Sequence, residues 1–366
     1  MQRIITMTLM LVGGLLVVLA QPKDEQVKRI RQLYAEAKQK IAQNGKNGKA
    51  PLDLTIVREN GEEVDPDFIL DSHTELTFYF DNGKTKADQE FYDQSNCYFI
   101  NEYWTSHGHE SFFEALVDAK GGYPLFIFTK SITDGGYVQE NRYYYNQQGQ
   151  TIHGIFKSGM YDQPLSERDD EQLTPTIGDE KLEEAKHLLK VFQSVMHTSN
   201  HVPASTAKAT TPKAERIKAI RAAYAKAQEK IAADKTSENP HHIFITLHEA
   251  LSEQFPPVTE NTNIYFDKKA DAQGNEVGTC YFINNRRQCM YWDNYVEFLA
   301  NGNGTDLMFT YQHNKEEGEN YEWRYYYDEN GKCIEAKTNG IEEGDGVAER
   351  QTFFNYLNTA KLLVGN

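Results

Sequence analysis

The chain contains two closely similar stretches, QENRYYYNQQGQTIHG (residues 139–154) and YEWRYYYDENGKCIEA (residues 321–336). Each has an Arg-Tyr-Tyr-Tyr segment, then a polar turn with a glycine, and then an isoleucine, Ile152 or Ile334. Glycine accepts the positive φ that tight hairpin turns require, and aromatic residues favour strands. Both stretches therefore predict a β-hairpin, and their similarity indicates that one structural unit occurs twice.

Alternate side chains of a strand point to opposite faces, so each hairpin has two distinct faces. Trp323 marks one face of the second hairpin as the core face, which assigns the alternate residues to the surface. Those alternate residues, the candidate binding residues of both hairpins, are Arg142, Tyr144, Arg324 and Tyr326. Two interpretations remain open: these tyrosines form structural cross-strand pairs, or they form an exposed aromatic row that binds a partner.

The repeat extends well beyond the hairpins. VKRIRQLYAEAKQKIAQ (27–43) and RIKAIRAAYAKAQEKIAA (216–233) carry apolar residues three and four apart, which predicts two matching amphipathic helices. The pentapeptide CYFIN occurs at 97–101 and again at 280–284. Each copy also ends in a second helical pattern. The repeated unit is therefore a helix, a run of strands and a final helix.

This order predicts an α+β fold formed by tandem duplication. Each copy is expected to be an antiparallel meander sheet of about five or six strands, packed on one face by its N- and C-terminal helices. The predicted boundaries are a signal peptide at 1–20, repeat domain 1 at 24–196, a linker at 197–212 and repeat domain 2 at 213–366. The linker is rich in Thr, Ala, Ser and Pro and has no apolar periodicity.

The first twenty residues contain one charged residue, Arg3, followed by an uncharged run that ends in Val18-Leu19-Ala20. This pattern is typical of a signal peptide cleaved before Gln21, and an uncleaved N-terminal anchor is the alternative. We expect an exported protein, periplasmic or extracellular, with no membrane span after cleavage. The net charge of −16 and the lack of a basic stripe argue against nucleic acid as a partner.

The four cysteines divide into two pairs. Cys97 and Cys280 occupy the same place in the two CYFIN segments and are expected to be buried thiols. Cys289 and Cys333 occur only in the second copy, which predicts a disulfide between them in an oxidising compartment. Two separate thiols are the alternative. His107 and His109 are adjacent to no third ligand at recognisable spacing, so no metal site and no cofactor are predicted.

The segments RYYYDENGK and NRYYYNQQGQ resemble the Tyr-Tyr-(Tyr/Phe)-Asp-x-Asn-Gly-Lys hairpins of uncharacterised exported proteins of Bacteroidetes-type bacteria. The likeness covers one hairpin and the preceding strands in each copy. It implies a bacterial envelope or secreted location, and it implies no active-site residues. This chain lacks the lipoprotein cysteine that commonly follows the leader in such proteins.

No nucleophile elbow, zinc-protease helix, phosphate-binding loop or dinucleotide fingerprint occurs, so an enzyme is less favoured than a binding protein. The sequence favours an exported, non-catalytic interaction protein that presents a Tyr-rich acidic surface to a protein or peptide partner. The alternative is a small-ligand or glycan-binding protein with a pocket between helix and sheet or between the copies. A hydrolase of envelope polymers, with two carboxylates in one cleft, is the third hypothesis.

Overall fold

The computed structural model describes residues 22–46, 51–65, 68–81, 96–118, 122–168, 174–196, 211–235, 241–249, 257–270, 276–316, 318–339 and 344–364. Four helices lie in these residues, and none of them is long and apolar enough to cross a membrane. They are α1 (Lys23–Ile41), α2 (Thr174–Met196), α3 (Lys213–Asp234) and α4 (Val347–Val364). The predicted signal peptide and most of the predicted linker lie outside the described residues.

The strands of the first half precede α3, and those of the second half follow it. The first eight are β1 (Asp53–Asp65), β2 (Phe68–Asp81), β3 (Asn96–Ser106), β4 (His109–Asp118), β5 (Tyr123–Ile132), β6 (Tyr137–Tyr145), β7 (Thr151–Met160) and β8 (Ser166–Arg168). The other seven are β9 (His242–Glu249), β10 (Val258–Ala270), β11 (Glu276–Gln288), β12 (Trp292–Ala300), β13 (Leu307–Glu316), β14 (Glu319–Tyr327) and β15 (Cys333–Thr338).

All fifteen strands belong to one antiparallel sheet with the order β15-β14-β13-β12-β11-β10-β9-β1-β2-β3-β4-β5-β6-β7-β8. The predicted pair of separate α+β modules, each with its own sheet of five or six strands, is therefore wrong. The two halves contribute eight and seven strands, and they join where β1 pairs with β9. An unpaired first strand would leave a row of backbone donors and acceptors exposed in each half, and this pairing satisfies both edges.

The junction between the halves is nearly symmetric. Ile56 lies directly opposite Ile245, while Leu54 lies opposite Leu247 and Arg58 lies opposite Ile243. Leu54 and Ile56 hold the same places in β1 as Ile243 and Ile245 hold in β9. An approximate two-fold axis therefore passes through the sheet between the two central isoleucines, as in a self-complementary dimer interface.

Helices cover both faces of this sheet, so the prediction that they pack on one face is also wrong. α1 and α3 lie on one face, over matching clusters that include Phe99 in the first half and Phe282 in the second. α2 and α4 lie on the opposite face, where they share one core and contact each other. Ser194 Oγ of α2 is 2.9 Å from Thr359 Oγ1 of α4. The two C-terminal helices thus bridge the junction that β1 and β9 form.

The repeated Tyr-Tyr-Tyr segment fastens helices to both faces. In the first half, Tyr144 packs in the α1 cluster, and its Oη accepts a hydrogen bond from Arg31 Nε at 3.0 Å. Tyr145 packs in the core on the other face and donates a hydrogen bond from Oη to the carbonyl of Gly178 in α2, at 2.7 Å. Consecutive residues of one strand therefore hold two helices in place.

The second half repeats this arrangement. Tyr326 packs under α3, and the guanidinium carbon of Arg221 lies 5.7 Å from the centre of its ring. Tyr327 donates a hydrogen bond from Oη to the carbonyl of Gly346, immediately before α4, at 2.9 Å. The duplicated sequence thus encodes a structural joint between hairpin and helices.

The structure contradicts the predicted Cys289–Cys333 disulfide, since all four cysteines are free thiols. Cys289 follows β11, and Cys333 begins β15, with three strands between them. Four strand spacings of ~4.8 Å separate the two strands by roughly 19 Å, whereas the Cα atoms of a disulfide lie within about 7 Å. Joint occurrence in one copy does not place the two residues near each other.

Alkylation of the native protein should modify Cys289 and leave Cys97 and Cys280 unmodified. Burial raises the pKa of the Cys280 thiol to about 12 and also raises that of Cys97, whereas Cys289 lies in a turn beside the exposed Met290. Mass spectrometry after native labelling measures which of the cysteines are modified. After unfolding without reductant all four thiols should react, and a cross-linked 289–333 peptide would contradict this arrangement.

Candidate functional site

The four candidate binding residues do not form one exposed site. Tyr144 and Tyr326 are only 2% and 4% exposed, so the prediction that they lie on the surface is wrong. Arg142 and Arg324 lie near the middle of the same two strands, where each pairs with the glutamate two residues before it, at 3.2 Å and 2.9 Å. Because β6 and β14 lie near opposite ends of the sheet, the two hairpins do not combine.

A polar cavity lies instead between the C-terminal helices and the second half of the sheet. Its volume is about 310 Å³, at the lower end of the range for small-molecule sites. We call it the Glu260 cavity, and its principal polar lining residues are Glu260, Asn285, Arg287, Asn294, Glu349 and Tyr356. Val296 and Phe298 contribute apolar surface.

The cavity wall contains an ordered network of charges. Arg287 pairs through Nη2 with the buried carboxylate of Glu249, and its Nε lies 3.6 Å from Glu260 Oε2. Glu260 Oε1 accepts hydrogen bonds from Tyr356 Oη at 2.7 Å and from Asn285 Nδ2 at 2.9 Å. A buried carboxylate needs such partners to offset its loss of water. Strands β9, β10 and β11 and helix α4 are all fixed to each other by this network.

Burial is the main influence on the acidic groups of this site. It raises the pKa of Glu260, with a further upward contribution from Glu249, while Tyr356, Arg287 and Asn285 oppose the shift. Burial also raises the pKa of Glu349, in the first turn of α4. The cavity therefore holds two carboxyl groups that gain protons more readily than free glutamate, and a protonated carboxyl can donate a hydrogen bond.

Asn294 lines the cavity and has a side-chain oxygen without a hydrogen-bond donor among the described residues. It lies directly opposite Arg287 in the β11–β12 pairing, on the same face as Val296. Its Oδ1 atom is buried and accepts no hydrogen bond from the part of the chain that the structure describes. A buried acceptor left in this state costs about 1–3 kcal/mol, which a ligand with an N–H or O–H group would recover.

The site is completed by the other half of the chain. Ser194 and Val195 of α2, a helix of the first half, line the Glu260 cavity beside α4. The contact between α2 and α4 across the junction places them there. The pocket is therefore a property of the joined sheet, and neither half supplies all of its walls.

These residues match no motif, so the sequence did not predict them as a site. The available signal was alternation: Glu260 and Thr262 precede Ile264 on the same face of β10, and Asn285 and Arg287 follow Ile283 on the same face of β11. Polar residues that follow apolar ones on the core face of a strand predict either that the core ends there or that a polar pocket begins. Which of the two is present depends on whether α4 covers these residues.

Among the residues that the structure describes, no group of three or more His, Cys, Asp or Glu side chains is placed to hold a metal ion. Comparison with known proteins finds no family model and no curated protein that matches the chain. The resemblance of the hairpins to exported Bacteroidetes-type proteins stays a prediction.

Proposed function

We propose that this chain is an exported binding protein whose Glu260 cavity takes up a small, hydroxyl-rich molecule of about monosaccharide size. Export rests on the sequence of residues 1–20. Binding rests on the cavity, and above all on the unused Asn294 acceptor inside an otherwise ordered polar wall.

The lining of the cavity favours hydroxyl groups as ligand chemistry. A hydroxyl both donates and accepts hydrogen bonds. It can therefore donate to Asn294 Oδ1 and also accept from a protonated Glu349 carboxyl or from an amide. Val296 and Phe298 supply apolar surface for the carbon skeleton of such a molecule. A compact polyol matches both parts of the lining.

The geometry favours binding of a small ligand over the two other hypotheses, which are an interaction surface for a protein partner and a hydrolase. An interaction surface for a protein or peptide partner was inferred from exposed tyrosines, and Tyr144 and Tyr326 are buried. Hydrolysis of a glycosidic bond by Glu260 and Glu349, the two carboxyl groups of this cavity, would need both of them to be directed at the substrate. Glu260, however, already accepts hydrogen bonds through one oxygen and faces Arg287 through the other.

Replacement of Asn294 by leucine should weaken ligand binding at least tenfold while leaving the free protein as stable as the wild type or more stable. The change removes an unpaired buried oxygen, and it also removes the acceptor that the ligand would use. Calorimetric titration with a panel of monosaccharides and polyols measures affinity, and thermal unfolding without ligand measures stability.

The matched control is Asp293→Asn, one residue earlier on β12. The Asp293 side chain points to the opposite face, where it pairs with Arg286, so this variant should bind like the wild type. The proposal fails if no member of the panel binds the wild-type protein, or if Asn294→Leu binds as tightly as the wild type does.

A further inference from the structure

The first half contains a cavity at the place equivalent to the Glu260 cavity. In the second half Arg287 lies opposite Asn294, and Val296 lies opposite Gln312. In the first half the corresponding pairs are Trp104 opposite Ser111 and Phe113 opposite Thr129. These four residues line a cavity of about 200 Å³ beneath α2. We call it the Glu102 cavity, because Glu102 also lines it.

The two cavities differ in the residue at the position of Arg287. In the second half, Arg287 supplies a guanidinium that pairs with Glu249 and lies over the ring of Trp292, 5.6 Å from its centre. In the first half, Trp104 replaces that arginine. At this position the Glu102 cavity has an indole ring where the Glu260 cavity has a guanidinium group. The carboxyl group of Glu102 lines the cavity beside that ring.

Two lysines line the Glu102 cavity, and each is paired with a glutamate other than Glu102. Lys130 Nζ lies 3.9 Å from Glu140 Oε1. Lys181 Nζ lies 2.6 Å from Glu184 Oε2 on the same helix.

No hydrogen bond or ion pair reaches the Glu102 carboxyl from the residues that the structure describes. Asn141 Oδ1, which belongs to a residue lining the same cavity, is likewise buried without a donor among those residues. Glu102 and Asn141 thus line a cavity without a hydrogen-bond donor to their oxygens in the described part of the chain, because each of the two lysines that line it is paired with another glutamate.

We propose that the Glu102 cavity binds a small organic ammonium ion, a second ligand of a different class from that of the Glu260 cavity. The ammonium group donates hydrogen bonds to Glu102 and to Asn141 Oδ1, and its carbon chain packs on Trp104. A cation near an indole ring and a partly desolvated carboxylate gains from both contacts. The net charge of −16 also attracts cations to the protein.

Binding of this kind depends on the ionisation of Glu102. Burial raises the pKa of Glu102 to about 7, with a further upward contribution from Glu184 and a downward one from Lys181, both on α2. Strands β4 and β5 place the neutral Ser111 and Thr129 against the same cavity, and β5 also places there the charged Lys130, which pairs with Glu140. The carboxylate fraction therefore rises from about one tenth at pH 6 to about nine tenths at pH 8, and the apparent affinity for a cation rises by the same factor.

The experiment titrates the protein with butylammonium chloride at pH 8 and at pH 6, against sodium chloride at equal ionic strength. We expect saturable binding that changes the fluorescence of Trp104 and is about tenfold tighter at pH 8. Glu102→Gln should abolish binding at both pH values. Sodium chloride should produce no saturable signal, and an equal response to it would overturn the proposal.

Two controls separate the proposal from a folding defect. Glu183→Gln, on the exposed side of α2 beside Glu184, should bind butylammonium like the wild type. Glu102→Gln should unfold at pH 8 at no lower temperature than the wild type, because the raised pKa means that ionised Glu102 destabilises the folded state as pH rises towards and through 7. Failure of butylammonium to bind would overturn this inference and leave polyol binding through Asn294 a separate question.

Discussion

Replacement of Ile245 by aspartate should lower the free energy of unfolding by about 4–5 kcal/mol or more, enough to unfold a protein of ordinary stability. Ile245 is 2% exposed, and it lies opposite Ile56, which is 3% exposed, at the junction of the two halves. Both side chains belong to the core beneath α2 and α4. A carboxylate at this place loses its water and faces only apolar groups, so folding must either neutralise it or separate β1 from β9.

Urea denaturation followed by circular dichroism measures the loss. Thr246→Asp is the matched control, because the next residue of β9 points to the other face, is half-buried, and bonds to Asn261 there. This control should lose no more than about 1 kcal/mol, as is usual for a substitution away from the core. If the two variants unfold at the same urea concentration, the junction does not contribute to stability as the structure indicates.

The sequence predicted the local elements because their signals are local. The stripe of α1, which includes Val27 and Ile30, repeats every three or four residues, and the glycine turns after Tyr145 and Tyr327 mark both hairpins. The choice of the Trp323 face as the core face of the second hairpin was also right, because Tyr325 and Tyr327 on that face are buried in the core. The union of the halves leaves no such signal, because β1 and β9 lie about 190 residues apart and either could have been an edge strand.

The wrong assignment of Tyr144 and Tyr326 to the surface has a definite cause. Glu140 and Arg142 precede Tyr144 on the same face, so the face looks polar along most of β6. α1 crosses only one end of the strand, and Tyr144 lies under it while Arg142 remains at its margin. Alternation gives the face to which a residue belongs, but it does not give the length of strand that a helix covers.

The Glu260 cavity was beyond prediction for a related reason. Its walls come from β9 to β13, from α4 and from α2 of the other half. No short spacing in the sequence joins Ser194, Glu260 and Tyr356. Only the docking of α2 against α4 across the junction brings these three residues to one place.

Replacement of Tyr144 by alanine should lower the free energy of unfolding by about 3–5 kcal/mol, the usual range for removing a large buried aromatic side chain. The ring packs against Phe126, with their centres 4.9 Å apart, and its hydroxyl accepts from Arg31. Its loss leaves a cavity between α1 and the sheet. Tyr326→Ala should behave in the same way under α3, because its ring packs against Phe309 at the same distance.

Two further variants identify the origin of this loss. Tyr144→Phe keeps the ring and removes only the hydrogen bond to Arg31, so it should cost about 0.5–1.5 kcal/mol. Arg324→Ala removes an exposed side chain paired with Glu322 and should cost less than about 1 kcal/mol. Denaturation curves for the four variants measure this order. If Tyr144→Ala is as stable as the wild type, Tyr144 is not buried under α1. That result would support the hypothesis of an exposed aromatic row that binds a partner.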